Sequence, residues 1–179
     1  MAENLGSVRR DGANRVVMRF ERRLAHPPAK VWRALTDTGE LAAWFPATVA
    51  FDATPGARLR FDLTPEAKRR LDIPSDLDTV SAGEITRSEP PHLLEYTWGE
   101  EVLRWELRPD GEGCVLVFTD TVVVDSGEVP DDPAYFAEAA SAWHACLDAL
   151  DALLAGRPGT VAAWDRAAEL RGAYDRALA

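Results

Sequence analysis

His144 precedes Asp148 by four residues and Asp151 by seven, a spacing that puts an imidazole and two carboxylates on one side of a helix. Such a group can take a proton or bind a metal ion. Here the side is otherwise polar, with Glu138 and Ser141, and no third strong ligand joins it. The sequence therefore predicts a solvated face, with no metal and no cofactor. Glu84 and Asp120 fall on predicted strands. If either points inward, desolvation raises its pKa and makes it a base or a ligand anchor; their phase is open, and outward pairing with Arg is the expectation. Cys114 and Cys146 have no neighbouring His and read as small buried residues rather than nucleophiles. His26 and His92 stand beside prolines and read as loop residues. Phosphate-binding glycine motifs and a nucleophile elbow are missing from the sequence. No residue is assigned a catalytic role.

The aromatic residues carry the remaining signal. Trp44, Phe45, Phe61, Tyr96, Trp98, Trp105, Phe118, Phe136 and Trp143 are many for a chain of 179 residues. Each can fill a core. Together they can also wall a concave apolar site with a few polar anchors, supplied by a Tyr hydroxyl or indole N–H groups.

The elements that must position them follow from periodicity. In Pro133 to Leu154, the residues Phe136, Ala140, Trp143, Leu147, Leu150 and Leu154 recur at steps of four and three, which predicts an amphipathic helix of about six turns. Ala139, Cys146 and Leu153 widen its apolar face. Asp131 or Asp132 before Pro133 starts it, and Gly156 with Pro158 stops it. Upstream, Arg15 to Leu24 alternates as a strand, and a weaker strand at Leu5 to Arg10 can pair with it across Asp11-Gly12. A helix opens at Pro28 and carries Val31, Trp32 and Leu35; a second short helix, capped by Thr38, carries Leu41, Trp44 and Phe45. Further strands are predicted at Thr48 to Asp52, Arg58 to Leu63, Val80 to Ser88, Leu93 to Trp98, Val102 to Arg108 and Cys114 to Val124. Thr64 to Leu71 reads as a polar helical insert. Turn signals at about ten-residue spacing indicate an antiparallel meander. A last helix, Val161 to Leu178, has a thin stripe of Trp164, Ala167, Tyr174 and Leu178.

Composition sets the bounds. The length predicts one domain with an appendage. A net charge of −10 argues against nucleic acid and anionic membranes, which bind through Lys and Arg. The first residues lack the apolar run of a signal peptide, and no stretch reaches the roughly 20 apolar residues of a span. A soluble, cytoplasmic protein is expected.

Strand, two short helices, meander and long helix together resemble the START-like, or SRPBCC, superfamily with its birch-pollen-allergen-type helix-grip fold. The motifs are most similar to the branch named for the activator of heat-shock protein 90 ATPase homologue. They are Pro28 with Val31 to Thr36, Leu41 with Trp44-Phe45-Pro46, and Pro55-Gly56 leading into Leu59-Arg60-Phe61. Gly83-Glu84-Ile85, Pro90-Pro91, Leu94, Tyr96 and Trp98 follow, then Trp105, Leu107 and Pro109, and finally Ala142-Trp143 with Leu147, Leu150, Leu153 and Leu154. Three departures stand out: Ala57 in place of a second glycine, Asp120 where many members have His, and the helical insert.

The resemblance implies an α+β helix-grip fold, with a curved antiparallel sheet wrapped around the long C-terminal helix and two short helices after the first main strand. It divides the chain into an N-terminal segment 1–14 with a possible hairpin strand, a helix-grip domain 15–156, and a helical extension 157–179. It also implies a cavity between sheet and helix. The cavity candidates are Trp44, Phe61, Tyr96, Trp98, Trp105, Phe118, Phe136, Trp143 and Leu147, with Glu84 and Asp120 as possible polar members. The chaperone activator makes much of its contact through a separate N-terminal domain, so chaperone activation is not implied. The expected function is binding of a small hydrophobic or aromatic molecule by a monomer or homodimer, without dedicated catalysis. The alternatives are a polyketide cyclase or dehydratase, and a stress-response or chaperone-associated interaction module.

Overall fold

The computed structural model describes residues 4–70, 72–124, 129–159 and 162–178. Within these residues eight strands form one antiparallel sheet: β1 (Ser7–Arg10), β2 (Arg15–Leu24), β3 (Ala47–Val49), β4 (Arg58–Leu63), β5 (Ser81–Glu89), β6 (Leu93–Trp98), β7 (Glu101–Asp110) and β8 (Gly113–Val123). Their spatial order is β1-β2-β8-β7-β6-β5-β4-β3. The run β3 to β8 is thus a meander, and its last strand returns to pair with β2. Among the described residues five helices accompany it: α1 (Pro28–Thr36), α2 (Thr38–Leu41), α3 (Pro65–Arg70), α4 (Pro133–Leu154) and α5 (Ala163–Leu178).

Period-two alternation decides which side chains meet. On β8, Leu116, Phe118, Asp120 and Val122 are all buried on one face. Leu103, Trp105 and Leu107 on β7 and Leu94 and Tyr96 on β6 join them. The register sets Trp105 opposite Phe118 and Leu103 opposite Asp120. Between Ile85 and Arg87 the β5–β6 register shifts, an irregularity that bends a strand. Gly83 allows close approach there, because a Cβ would fall 2.0 Å from the Thr97 carbonyl oxygen.

α4 lies in the concavity, as its periodicity requires. Asp132 caps it by accepting from the Ala134 amide at 2.9 Å, and Pro133 occupies the first turn without losing a hydrogen bond. At its other end Lys30 of α1 donates to the Leu154 carbonyl at 2.6 Å, satisfying one of the unpaired helix-end acceptors. Phe136, Ala140, Trp143, Leu147, Leu150 and Leu154 are buried.

Three local expectations change. Asp37, not Thr38, caps α2 and accepts from the Glu40 amide at 2.9 Å. β3 is shorter and begins one residue earlier than the strand read at Thr48 to Asp52. α2 ends at Leu41, so Trp44 and Phe45 lie just beyond the helix rather than on it. The expected end of that insert at Leu71 and the expected start of the last helix at Val161 lie outside the described residues.

Candidate functional site

The interior between sheet and α4 is filled by aromatic rings. Trp105 stacks on Phe118 with centroids 3.9 Å apart, and Phe118 meets Trp143 edge-on at 4.7 Å. Trp44 packs on Trp105 at 5.6 Å, and its indole N–H donates to the Ala34 carbonyl at 3.0 Å. Phe61 stacks on both Tyr96 and Trp98. Tyr96, Trp105 and Phe118 are fully buried, as are Phe61 and Leu147. These five are the floor of the fold rather than the lining of an open space.

The open space lies at the edge of this aromatic core. A trough of about 450 Å³ runs between the β6–β7 turn, α4 and the start of α5. Trp98, Tyr135 and Trp143 wall it, Ala139, Ala142 and Cys146 of α4 form its base, and Trp164 of α5 stands at its side. The indole N–H of Trp98 donates to the Ser81 hydroxyl at 2.6 Å, which fixes that wall. A second groove, about 460 Å³, adjoins it and shares Pro46, Ala142, Cys146 and Trp164. Trp44 borders the second groove. Phe136 is turned away, beside a shallow pocket of about 150 Å³ with Val8 and Leu178. Of the nine predicted cavity residues, Trp98 and Trp143 therefore line the first trough and Trp44 the second.

The two polar candidates part company. Glu84 is exposed on β5. Asp120 is buried, 1% exposed, and its Oδ2 accepts from Trp143 Nε1 at 2.8 Å. The expected outward pairing of Asp120 is thereby corrected: the alternation of β8 turns it inward with Phe118 and Val122. Its Oδ1 has no hydrogen-bond partner among the described residues. Burial, and then the nearby Glu101 carboxylate, push the Asp120 carboxyl well above the usual carboxylate range, while the Trp143 hydrogen bond pulls the other way. Burial likewise raises the Tyr96 phenol, although Trp105 beside it works to lower it. Trp105 Nε1 itself makes no well-formed hydrogen bond. A small set of buried polar atoms thus lies behind Trp143.

His144 is also corrected. It is not on a wet face but 4% exposed, because α5 packs over that side of α4. Its Nδ1 is 2.9 Å from the Tyr174 hydroxyl, which in turn accepts from the Gly6 amide at 2.8 Å. Asp148 is held by Arg166 at 2.9 Å, and Arg171 reaches Glu138 at 3.1 Å. The imidazole and carboxylate therefore join two helices. No group of three or more His, Cys, Asp or Glu side chains able to hold a metal ion occurs among the described residues. Burial pushes the Cys146 thiol up to about 12 and raises Cys114 as well, so neither presents a thiolate at neutral pH.

Sequence reasoning missed Tyr135, Ala142 and Trp164 as trough residues. A signal was available: Ala139, Ala142, Cys146 and Ala149 repeat small side chains at steps of three and four along α4. A line of small residues on a helix face leaves room against whatever opposes it.

An antiparallel sheet packed around one long C-terminal helix defines a helix-grip protein. The chain belongs to the family described as Activator of Hsp90 ATPase homolog 1-like protein, whose model matches residues 25–155. Solved structures share the fold. CalU16 from Micromonospora echinospora has 20% sequence identity and a TM-score of 0.67, with 98% of this chain and 97% of that chain covered. The protein encoded by gene BPP1335 from Bordetella parapertussis has 29% identity and a TM-score of 0.66, covering 96% of this chain and 90% of that one. DynU16, a protein of the dynemicin biosynthetic locus, has 23% identity and a TM-score of 0.60, covering 79% of this chain and 48% of that one. No curated protein matches the chain.

Proposed function

We propose that this protein binds a small apolar or aromatic molecule in the trough beside α4. The observation that carries this reading is the trough itself: about 450 Å³, walled by Trp98, Tyr135 and Trp143 over a base of small α4 residues. That volume lies within the range of small-molecule sites, and the character of the wall matches them. The deeper space implied by family resemblance is occupied by the protein's own rings, so the ligand rests against Trp98 and Trp143 instead of entering the core. One chain supplies the whole trough, and the reading holds for a monomer or a homodimer. Two free, buried cysteines fit a reducing compartment such as the cytoplasm.

A titration with the neutral fluorophore N-phenylnaphthylamine tests this. Saturable binding at one site, with quenching of the tryptophans, is expected; a linear, unsaturable response counts against it.

Asp120 favours a second reading, a polyketide cyclase- or dehydratase-like enzyme. A buried carboxyl with a raised pKa is a poised proton donor or acceptor. Under that reading Asp120→Asn abolishes turnover of a polyketide chain while the fluorophore still binds. The surface-module reading draws little support from α5, which buries Leu170 and Tyr174 against the domain.

A further inference from the structure

One wall of the trough is tied to a buried acid. Trp143 lines the trough, and its indole N–H donates to Asp120 Oδ2 at 2.8 Å. The other oxygen, Oδ1, is buried and accepts no hydrogen bond among the described residues. An ionised carboxylate offers about four acceptor sites, so a single donor leaves the charged form of Asp120 poorly satisfied, whereas the neutral carboxyl asks for less. The surroundings do not make up the deficit. Opposite Asp120 stand Met18 on β2 and Leu103 on β7, both buried and apolar. The titratable groups that act on it are Glu101 of β7, a second carboxyl, and the hydroxyls of Tyr96 on β6 and Tyr135 on α4. Burial raises both phenols, Tyr135 to about 12, so neither is charged at neutral pH. No cation stands among these groups.

The charged form is then eased chiefly by solvent in the trough, across the Trp143 ring. A neutral ligand seated against Trp143 and Tyr135 displaces that solvent and raises the cost of the charge. It leaves the neutral carboxyl unopposed. Ligand and proton therefore favour each other, and the coupling is reciprocal. We infer that Asp120 is a positioning residue that acts on the trough through Trp143: it fixes the indole in the wall, and a neutral ligand binds together with a proton on this carboxyl. Affinity is highest where Asp120 is protonated and falls as pH rises through its titration. The inference rests on the trough being the binding site.

The test is the Kd of N-phenylnaphthylamine, neutral throughout, measured by fluorescence at a series of pH values upward from the ordinary carboxylate range, with folding checked at each by circular dichroism. In the wild-type protein the affinity should fall several-fold with rising pH. In Asp120→Asn, which keeps an acceptor for the indole, the fall should vanish. In Trp143→Phe, which keeps a ring in the wall but loses the hydrogen bond that holds the carboxyl down, the midpoint of the fall should move to higher pH. Binding that does not vary with pH in the wild-type protein leaves the trough as a site and overturns the inference. The wild-type dependence retained in Asp120→Asn, or an unmoved midpoint in Trp143→Phe, also overturns it. If the fluorophore binds at no pH, the trough reading fails and the inference fails with it.

Discussion

Asp120 sits on β8 between Phe118 and Val122, all three facing α4. Its raised pKa has a sign that stability measurements can read. The unfolded carboxyl titrates near its ordinary value of 3.8, the folded one well above it. In that window the native state binds more protons than the unfolded state, so stability falls as pH rises. The stabilisation is fully present below the ordinary value and is lost as pH climbs through the raised one. Asp120→Asn should flatten the decline seen by urea denaturation as pH rises above the ordinary carboxylate value; an unaltered slope would place the titrating group elsewhere. Trp143 belongs to the same scale. It packs on Phe118 and bonds Asp120, so Trp143→Ala should cost about 3–5 kcal/mol in unfolding free energy. A loss under about 1 kcal/mol would contradict the packing described.

The elements were legible in the sequence to different degrees. α4 was read to its first and last residue, because its period, its Asp-Pro start and its Gly-Pro stop all agree. The long strands were legible to within one or two residues at their ends, since alternation such as Leu103, Trp105, Leu107 has one solution. The trough was not legible: it forms where α4, α5 and the β6–β7 turn fail to close on one another, and single-chain periodicity says nothing of such gaps. The burial of His144 was hidden for a similar reason. On α4 alone its neighbours Ser141 and Asp148 look solvated, and only the docking of α5 shows otherwise. That docking rests on Tyr174, whose hydroxyl meets both His144 and the Gly6 amide. Tyr174→Phe removes both hydrogen bonds of this buried hydroxyl and should cost about 1–3 kcal/mol, measured by thermal or urea unfolding; no loss would show that these two bonds do not hold α5.

At the scale of the molecule, the helix-grip domain over 15–156 is proposed as the binding unit, with α5 as a docked extension that completes one wall. The central hollow that the family resemblance implies is here filled by Trp105, Phe118 and Trp143, and the open space lies at the edge. Ala142 tests the central claim most directly. It is half-buried, and both grooves share it, so Ala142→Trp fills the trough from its base without entering the core. The measurement is the affinity of N-phenylnaphthylamine for wild type and for Ala142→Trp, with folding checked by circular dichroism. Saturable binding to wild type and at least about ten-fold weaker binding to the folded variant is the predicted result; equal affinity for both would contradict binding in the trough.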